Sequence, residues 1–190
     1  MKFFVLLFAL LASSTTVFAA WEEDFELLKN IPRSYEDSGS ICEEVARLEI
    51  QREYAAPQYD VIVGIAYGDA THIIGELDIV IFDNNIQKVV KIGEVKCWKD
   101  VPAGLEKAHE QRARFLKTVR ANKATRFFNT STKEIYAPEK FQFAKEFFSM
   151  AQKGSVVQGF DKELEYTLKE MRDRRYEMIR CQNQGKCARP

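Results

Sequence analysis

Several signals that would assign a class at once are missing. The 190-residue chain has nine glycines and five prolines, too few for collagen or a low-complexity linker. No repeat recurs along it. Neither sign of charge is in excess, since 28 Lys and Arg balance 28 Asp and Glu. No global field therefore draws the molecule to a polyanion or to anionic lipid. There is no Cys-x-x-Cys pair, and His72 and His109 are the only histidines, which weighs against a zinc site. Past the N-terminus no apolar run approaches the ~20 residues that span a bilayer, which excludes a polytopic membrane protein. What is present is ordinary: 46% hydrophobic and 29% charged residues. A single domain is expected, because a chain of ~150 residues already buries about 70% of its unfolded surface.

The N-terminus reads as an address. Lys2 supplies a positive start, Phe3 to Ala12 are uninterrupted apolar residues, and Val17 and Ala19 fit a small-residue cleavage site. A signal peptide over residues 1–19 is expected, leaving a mature domain over 20–190, secreted or periplasmic and without a membrane segment. No Cys follows the apolar run, which argues against a lipoprotein anchor. In an oxidising compartment Cys42, Cys97, Cys181 and Cys187 are candidates for disulfides. The favoured pairing is Cys181–Cys187 across a short loop, then Cys42–Cys97; four cysteines permit three pairings. Charge is unevenly spread: residues 22–53 carry ten acids and four bases, and residues 99–126 carry eight bases and three acids. The second segment has the character of a footprint for a polyanion.

Periodicity gives the elements. Ser40 and Glu43 have capping-box spacing, and Ile41, Val45 and Leu48 predict a helix from Ile41 to Ala55, stopped by Pro57. Residues 59–67, 72–83 and 88–98 read as three consecutive antiparallel strands, with a turn at Asn84-Asn85. A helix follows over Pro102–Ala121, a short strand over Lys133–Tyr136, and a helix from Pro138 to about Gln152. Gly154 and Gly159 bracket a linker before a last helix carrying Leu164, Leu168, Met171 and Met178 on one face. The second and third strands are apolar at odd and even positions alike, the pattern of a sheet covered on both faces. An α/β fold with a mixed central sheet flanked by helices, and extra C-terminal helices, is expected.

Against that background Glu76, Asp78, Glu94 and Lys96 are costly interruptions of apolar strands. Buried carboxylates persist when paired or when they bind a metal. For Asp78 and Glu94 to share a face, their hairpin must have an odd loop. Three residues place Glu76 opposite Glu94, five place Asp78 there, and an even loop separates them.

Here the residues resemble a family. Asp78 followed by Glu94-Val95-Lys96 on the next strand is similar to the restriction-endonuclease-like, or PD-(D/E)XK, nucleases. Gly75-Glu76-Leu77-Asp78 resembles the Gly-Glu-Ile-Asp strand of small bacterial members, with Leu77 where the family name has Pro. Gly39 and Glu43, with Ala46 and Leu48, resemble the first helix of those proteins and of archaeal Holliday-junction resolvases; Glu44 is the competing choice to Glu43. Gln111 falls on the next helix, where many relatives keep a Gln. The resemblance covers about Gly39 to Val119 and leaves the C-terminal third outside it.

The resemblance implies a nuclease that hydrolyses phosphodiester bonds of DNA with Mg²⁺ or Mn²⁺. Asp78, Glu94 and the Val95 carbonyl would hold the ion, and Glu43 a water or a second ion. Lys96 would orient the attacking water and stabilise the developing charge. Lys99, Lys107, Gln111, Arg112, Arg114 and Lys117 would contact the nucleic acid. Trp98, Phe115, Phe127 and Phe128 are candidates for base stacking, with core packing the competing role. RNA is a possible substrate and a homodimer a possible assembly. The alternatives are a non-catalytic binding module on the same fold, its acids in structural ion pairs, and a secreted effector acting on RNA.

Overall fold

A computed structural model describes residues 13–190, with side chains from Trp21 onward. The expected signal peptide falls mostly outside the described residues, and 13–19 form the start of helix α1, Ser13–Leu28. Among the described residues no helix is long and apolar enough to cross a membrane. There follow α2 (Ser40–Glu53), β1 (Tyr59–Gly68), β2 (Ile73–Asp83), β3 (Lys88–Val95) and α3 (Val101–Arg120). Then come β4 (Arg126–Asn129), β5 (Ile135–Tyr136), β6 (Glu146–Ala151), β7 (Lys162–Glu163) and α4 (Leu168–Asn183). The strands form one seven-stranded mixed sheet in the order β5-β4-β1-β2-β3-β6-β7. β1, β2 and β3 are antiparallel neighbours, and β6 runs parallel to β3.

The helices start and stop for local reasons. On α3 the Asp100 carboxylate accepts from the Ala103 N–H at 3.0 Å, Pro102 occupies the first turn, and Lys117 and Arg120 lie in the last. On α4, Thr167 and Glu170 form a reciprocal capping box. The capping box expected of Ser40 does not form. Ser40 is already helical, Gly39 takes the cap position, and the Gly39 N–H donates to Asp37 instead.

The sheet is covered on both faces, as the unbroken apolar strands require. On one face Val63, Ile79, Ile81 and Val95 pack with residues of α1, α2 and α4, among them Leu28, Ile41, Val45 and Met178. On the other, Ile65, Leu77, Val80 and Ile92 pack with Phe115 of α3 and with Phe127 and Phe141. Within β2, Leu77 belongs to one layer and Ile79 to the other; within β1, Ile65 and Val63 divide the same way. Both strands therefore turn over at the level of Asp78. Gly64, across from Asp78 by count of register, permits this: its φ is +71°, and a Cβ there would lie 2.7 Å from Thr130 Oγ1.

The residues expected as a helix from Pro138 to Gln152 are instead a single turn at Pro138–Lys140 followed by strand β6. Phe148 and Met150 are buried against the first layer, and the backbone hydrogen bonds of β3 fix the segment as a strand. Tertiary pairing here overrides a sequence without clear period-two alternation. β4 was not expected; it pairs with the far end of β1.

On α2, away from the strand ends that carry the acids, Glu49 accepts from the Glu165 N–H at 3.1 Å. Burial pushes its carboxyl from an ordinary 4.5 up to about 7, the Glu165 N–H opposing. The folded state then holds the proton more tightly than the unfolded chain. That contribution to stability is complete below 4.5 and is lost as pH rises through about 7. The Glu49→Gln variant is expected to flatten the dependence of stability on pH across this window. Urea unfolding at about pH 5 and about pH 8 measures it, and an unchanged slope would contradict the assignment.

Candidate active site

Three elements deliver the polar residues to one place. β2 brings Asp78, β3 brings Glu94 and leads directly into Lys96, and the first turn of α2 brings Glu43. Asp78, Glu94 and Lys96 are 7%, 3% and 8% exposed. Asp78 Oδ2 accepts from the Val95 N–H at 2.8 Å. The Lys96 ammonium donates to Asp78 Oδ2 at 2.5 Å, to the Val95 carbonyl at 3.1 Å and to Glu94 Oε2 at 3.4 Å. Two carboxylates and one backbone carbonyl thus converge on a single cationic nitrogen.

The register that achieves this differs from the parity expectation. Asp83 pairs with Lys88 across a four-residue loop, and that even loop should have split Asp78 from Glu94. A bulge between Ile81 and Phe82 adds one residue on β3, so that Ile81 pairs with Lys91 and Ile79 with Gly93. Beyond the bulge the count sets Asp78 against Glu94. The bulge restores what the loop would have cancelled.

The charges are held close enough to perturb one another. Burial, then the charge of Asp78, pushes Glu94 from 4.5 up to about 9, with Lys96 opposing. Burial and Asp78 likewise push Glu43 up to about 7, with Arg33 opposing. For Lys96, burial works against the charge, but Asp78 and Glu94 outweigh it and hold the ammonium above its ordinary value. Asp78 thus raises the pKa of both Glu94 and Glu43, and an added cation would favour their charged forms.

Glu43 and Glu44 have different partners. Glu44 is buried between Arg33, at 3.4 Å, and Arg47, at 2.8 Å. Glu43 also pairs with Arg33, but it is the one whose charge meets Asp78. Glu76 lies further out and accepts from Thr130 Oγ1 at 3.2 Å. Arg33 and Thr130 were not singled out from sequence; neither stands in a periodic pattern, and both arrive from loops.

On the other side of the sheet, α3 passes close to Lys96. A Cβ built on Gly104 would lie 3.4 Å from the Lys96 Cβ. Further along, burial raises the pKa of the Tyr67 hydroxyl, the charge of Arg114 opposing and that of Glu94 adding to it. Arg114 is exposed on α3, and its charge and that of Glu94 both reach Tyr67. Lys107 and Gln111 share its side of the helix by spacing. Lys107 pairs with Glu110 at 3.0 Å, and Gln111 Oε1 is buried without a hydrogen bond among the described residues. Arg112 turns away and stacks over the Phe147 ring at 4.7 Å. Lys99 and Lys117 are exposed, and Lys117 lies on the outer side of the helix with Arg120. On the α2 side of Arg33 a groove of about 610 Å³ is lined by Arg33, Arg47 and Lys140 against Glu44, Asp60 and Glu134. Its balanced charges give a phosphate no net attraction.

Both expected disulfides are formed, Cys42–Cys97 and Cys181–Cys187. The first joins the residue before Glu43 to the residue after Lys96.

Among the described residues no three carboxylate, thiol or imidazole groups are placed to hold a metal ion together. The donors around the Lys96 ammonium are all hard oxygens, however, and Mg²⁺ is commonly held by only one or two carboxylates. The donor chemistry fits such an ion. No protein-family model, curated protein or solved structure matches the chain.

Proposed function

We propose that this chain is an exported phosphodiesterase of restriction-endonuclease-like type that hydrolyses DNA with Mg²⁺ or Mn²⁺. The observation that carries the reading is the convergence of Asp78, Glu94 and the Val95 carbonyl on the Lys96 ammonium, close to the first turn of the basic helix α3. Asp78, Glu94 and the Val95 carbonyl would hold the ion, and Glu43 a water or a second ion. When bound, such an ion makes water nucleophilic near neutral pH and neutralises charge on the leaving oxygen. Lys96 then orients the attacking water and stabilises the charge that develops on the phosphorus oxygens. Arg114, Lys107 and Gln111 position the phosphate backbone along one side of α3, with Lys99 at the head of the helix and Arg112 and Lys117 outside the contact. The two disulfides and the N-terminal address support a site that works outside the cytoplasm.

A second reading has its own support. Lys96 already pairs with both buried acids, so the cluster could be structural, on a protein that binds without cleaving. The mature protein incubated with linear and circular DNA in Mg²⁺, Mn²⁺ or EDTA separates the two, with single-stranded RNA as a further substrate. Cleavage that requires the metal is expected. No cleavage under any condition, or cleavage indifferent to EDTA, would overturn the proposal.

A further inference from the structure

Two tryptophans occur in the chain. Trp21 is 3% exposed, in contact with Phe25, Tyr166 and the Arg174 guanidinium. Trp98 is 43% exposed. Of the other candidates for stacking near the motif, Phe115 and Phe127 are buried in the core, and Phe128 is half-buried with the Arg126 guanidinium over its ring at 4.7 Å. The exposed aromatics elsewhere lie beneath cations, with Lys88 over Phe143 at 4.3 Å and Arg175 over Tyr176 at 5.7 Å. Among the described residues no ring or cation covers the Trp98 indole.

Its place is fixed against the candidate site. A Cβ on Gly104 would lie 3.4 Å from the Lys96 Cβ and 3.5 Å from the Trp98 Cβ, so both Cβ atoms sit beside the same turn of α3. The backbone beneath them is anchored at every step. The Lys96 N–H donates to the Met150 carbonyl at 2.9 Å, and the Trp98 N–H to the Lys96 carbonyl at 3.1 Å. Cys97 is bonded to Cys42, and the Trp98 carbonyl accepts from Gln152 Nε2 at 2.8 Å. A large exposed apolar ring on a backbone anchored at each of these points, next to an exposed Lys99, is a preorganised platform rather than part of a loose loop.

We infer that Trp98 is a stacking platform for one base of the substrate strand, and that the site therefore selects DNA with unstacked bases, single strands or frayed single-stranded ends. The inference rests on the nuclease reading for its substrate, but its test does not need cleavage. A base inside a duplex is already stacked on its neighbours and offers no free face; a base in a single strand does, whatever its sequence.

Binding is measured in EDTA with an oligothymidine of about ten nucleotides and with a duplex of the same length. The wild-type protein should bind the single strand more tightly and show a change in tryptophan emission. Since Trp21 is buried, that change reports Trp98. The Trp98→Ala variant should bind the single strand roughly five- to one-hundred-fold more weakly, as the loss of one base–aromatic stack implies. Trp98→Phe should keep most of the affinity while losing the emission change. Thermal unfolding of each variant confirms that it is folded. Equal affinity for single strand and duplex, or full affinity in Trp98→Ala, would overturn the inference even if the protein cleaves DNA. Stacking that meets these expectations in a protein that never cleaves would leave the platform standing and remove the nuclease.

Discussion

The Asp78→Asn variant should lose metal-dependent cleavage, with kcat down by at least roughly 10²- to 10³-fold, the scale seen when one preorganised electrostatic contact to the transition state is removed. The substitution is nearly isosteric. The Asn side-chain carbonyl can still accept the Val95 N–H, so the end of β3 keeps its place. What disappears is the negative charge. Lys96 loses its shorter ion pair and is left with Glu94. Removing one member of a buried pair is usually severe, about 3–5 kcal/mol. Here the same charge also repels two neighbours, since Asp78 helps push Glu94 and Glu43 upward. Its removal lets Glu94 ionise more readily and take over Lys96. Cleavage should therefore fall far more than stability does. Single-turnover rates at saturating Mg²⁺, set beside thermal unfolding in EDTA, give the two quantities separately. A folded Asp78→Asn protein that cleaves at the wild-type rate would remove Asp78 from the chemistry.

Much of this arrangement could be read from the chain, and the failures have physical causes. The acids of β2 and β3 were legible because a carboxylate in an apolar strand is costly wherever it points. The two-sided burial of the sheet was legible for a similar reason, since apolar residues at both parities leave no face for water. The register was not. A bulge adds a residue without any required sequence mark, so the loop length alone misled. Glu43 and Glu44 are adjacent on a helix, and only the positions of Arg33, Arg47 and Asp78 distinguish their surroundings. β6 failed because parallel pairing with β3 is a long-range contact that its own residues do not announce. The basic segment was legible as a helix but only partly as a surface: Arg112 covers Phe147 and Lys107 pairs with Glu110, and spacing alone gave them the same standing as their neighbours.

Breaking the two disulfides one at a time should have unequal consequences. In the chain-entropy account a crosslink stabilises according to the loop it closes in the unfolded chain. Cys42 and Cys97 are 55 residues apart, and Cys181 and Cys187 are 6 apart. The expected losses are about 4 kcal/mol for the first and about 2 kcal/mol for the second. The double substitutions Cys42→Ser with Cys97→Ser, and Cys181→Ser with Cys187→Ser, test this by equilibrium unfolding. The difference in activity should be larger than the difference in stability. Cys181–Cys187 staples the end of α4, far along the chain from every residue of the acidic cluster. Cys42–Cys97 is the only covalent tie across the layers at that cluster among the described residues, one residue from Glu43 and one from Lys96. Without it the first turn of α2 and the end of β3 are held together by packing in their shared core layer, since the ion pairs of Arg33 go to Glu43 and Glu44, both on α2. An error of about 1 Å in placing a catalytic group can cost 10²-fold in rate. The variant lacking Cys42–Cys97, assayed at a temperature where it is fully folded, should cleave much more slowly than the variant lacking Cys181–Cys187. Equal rates in the two folded variants would mean that the crosslink near Glu43 and Lys96 serves stability alone.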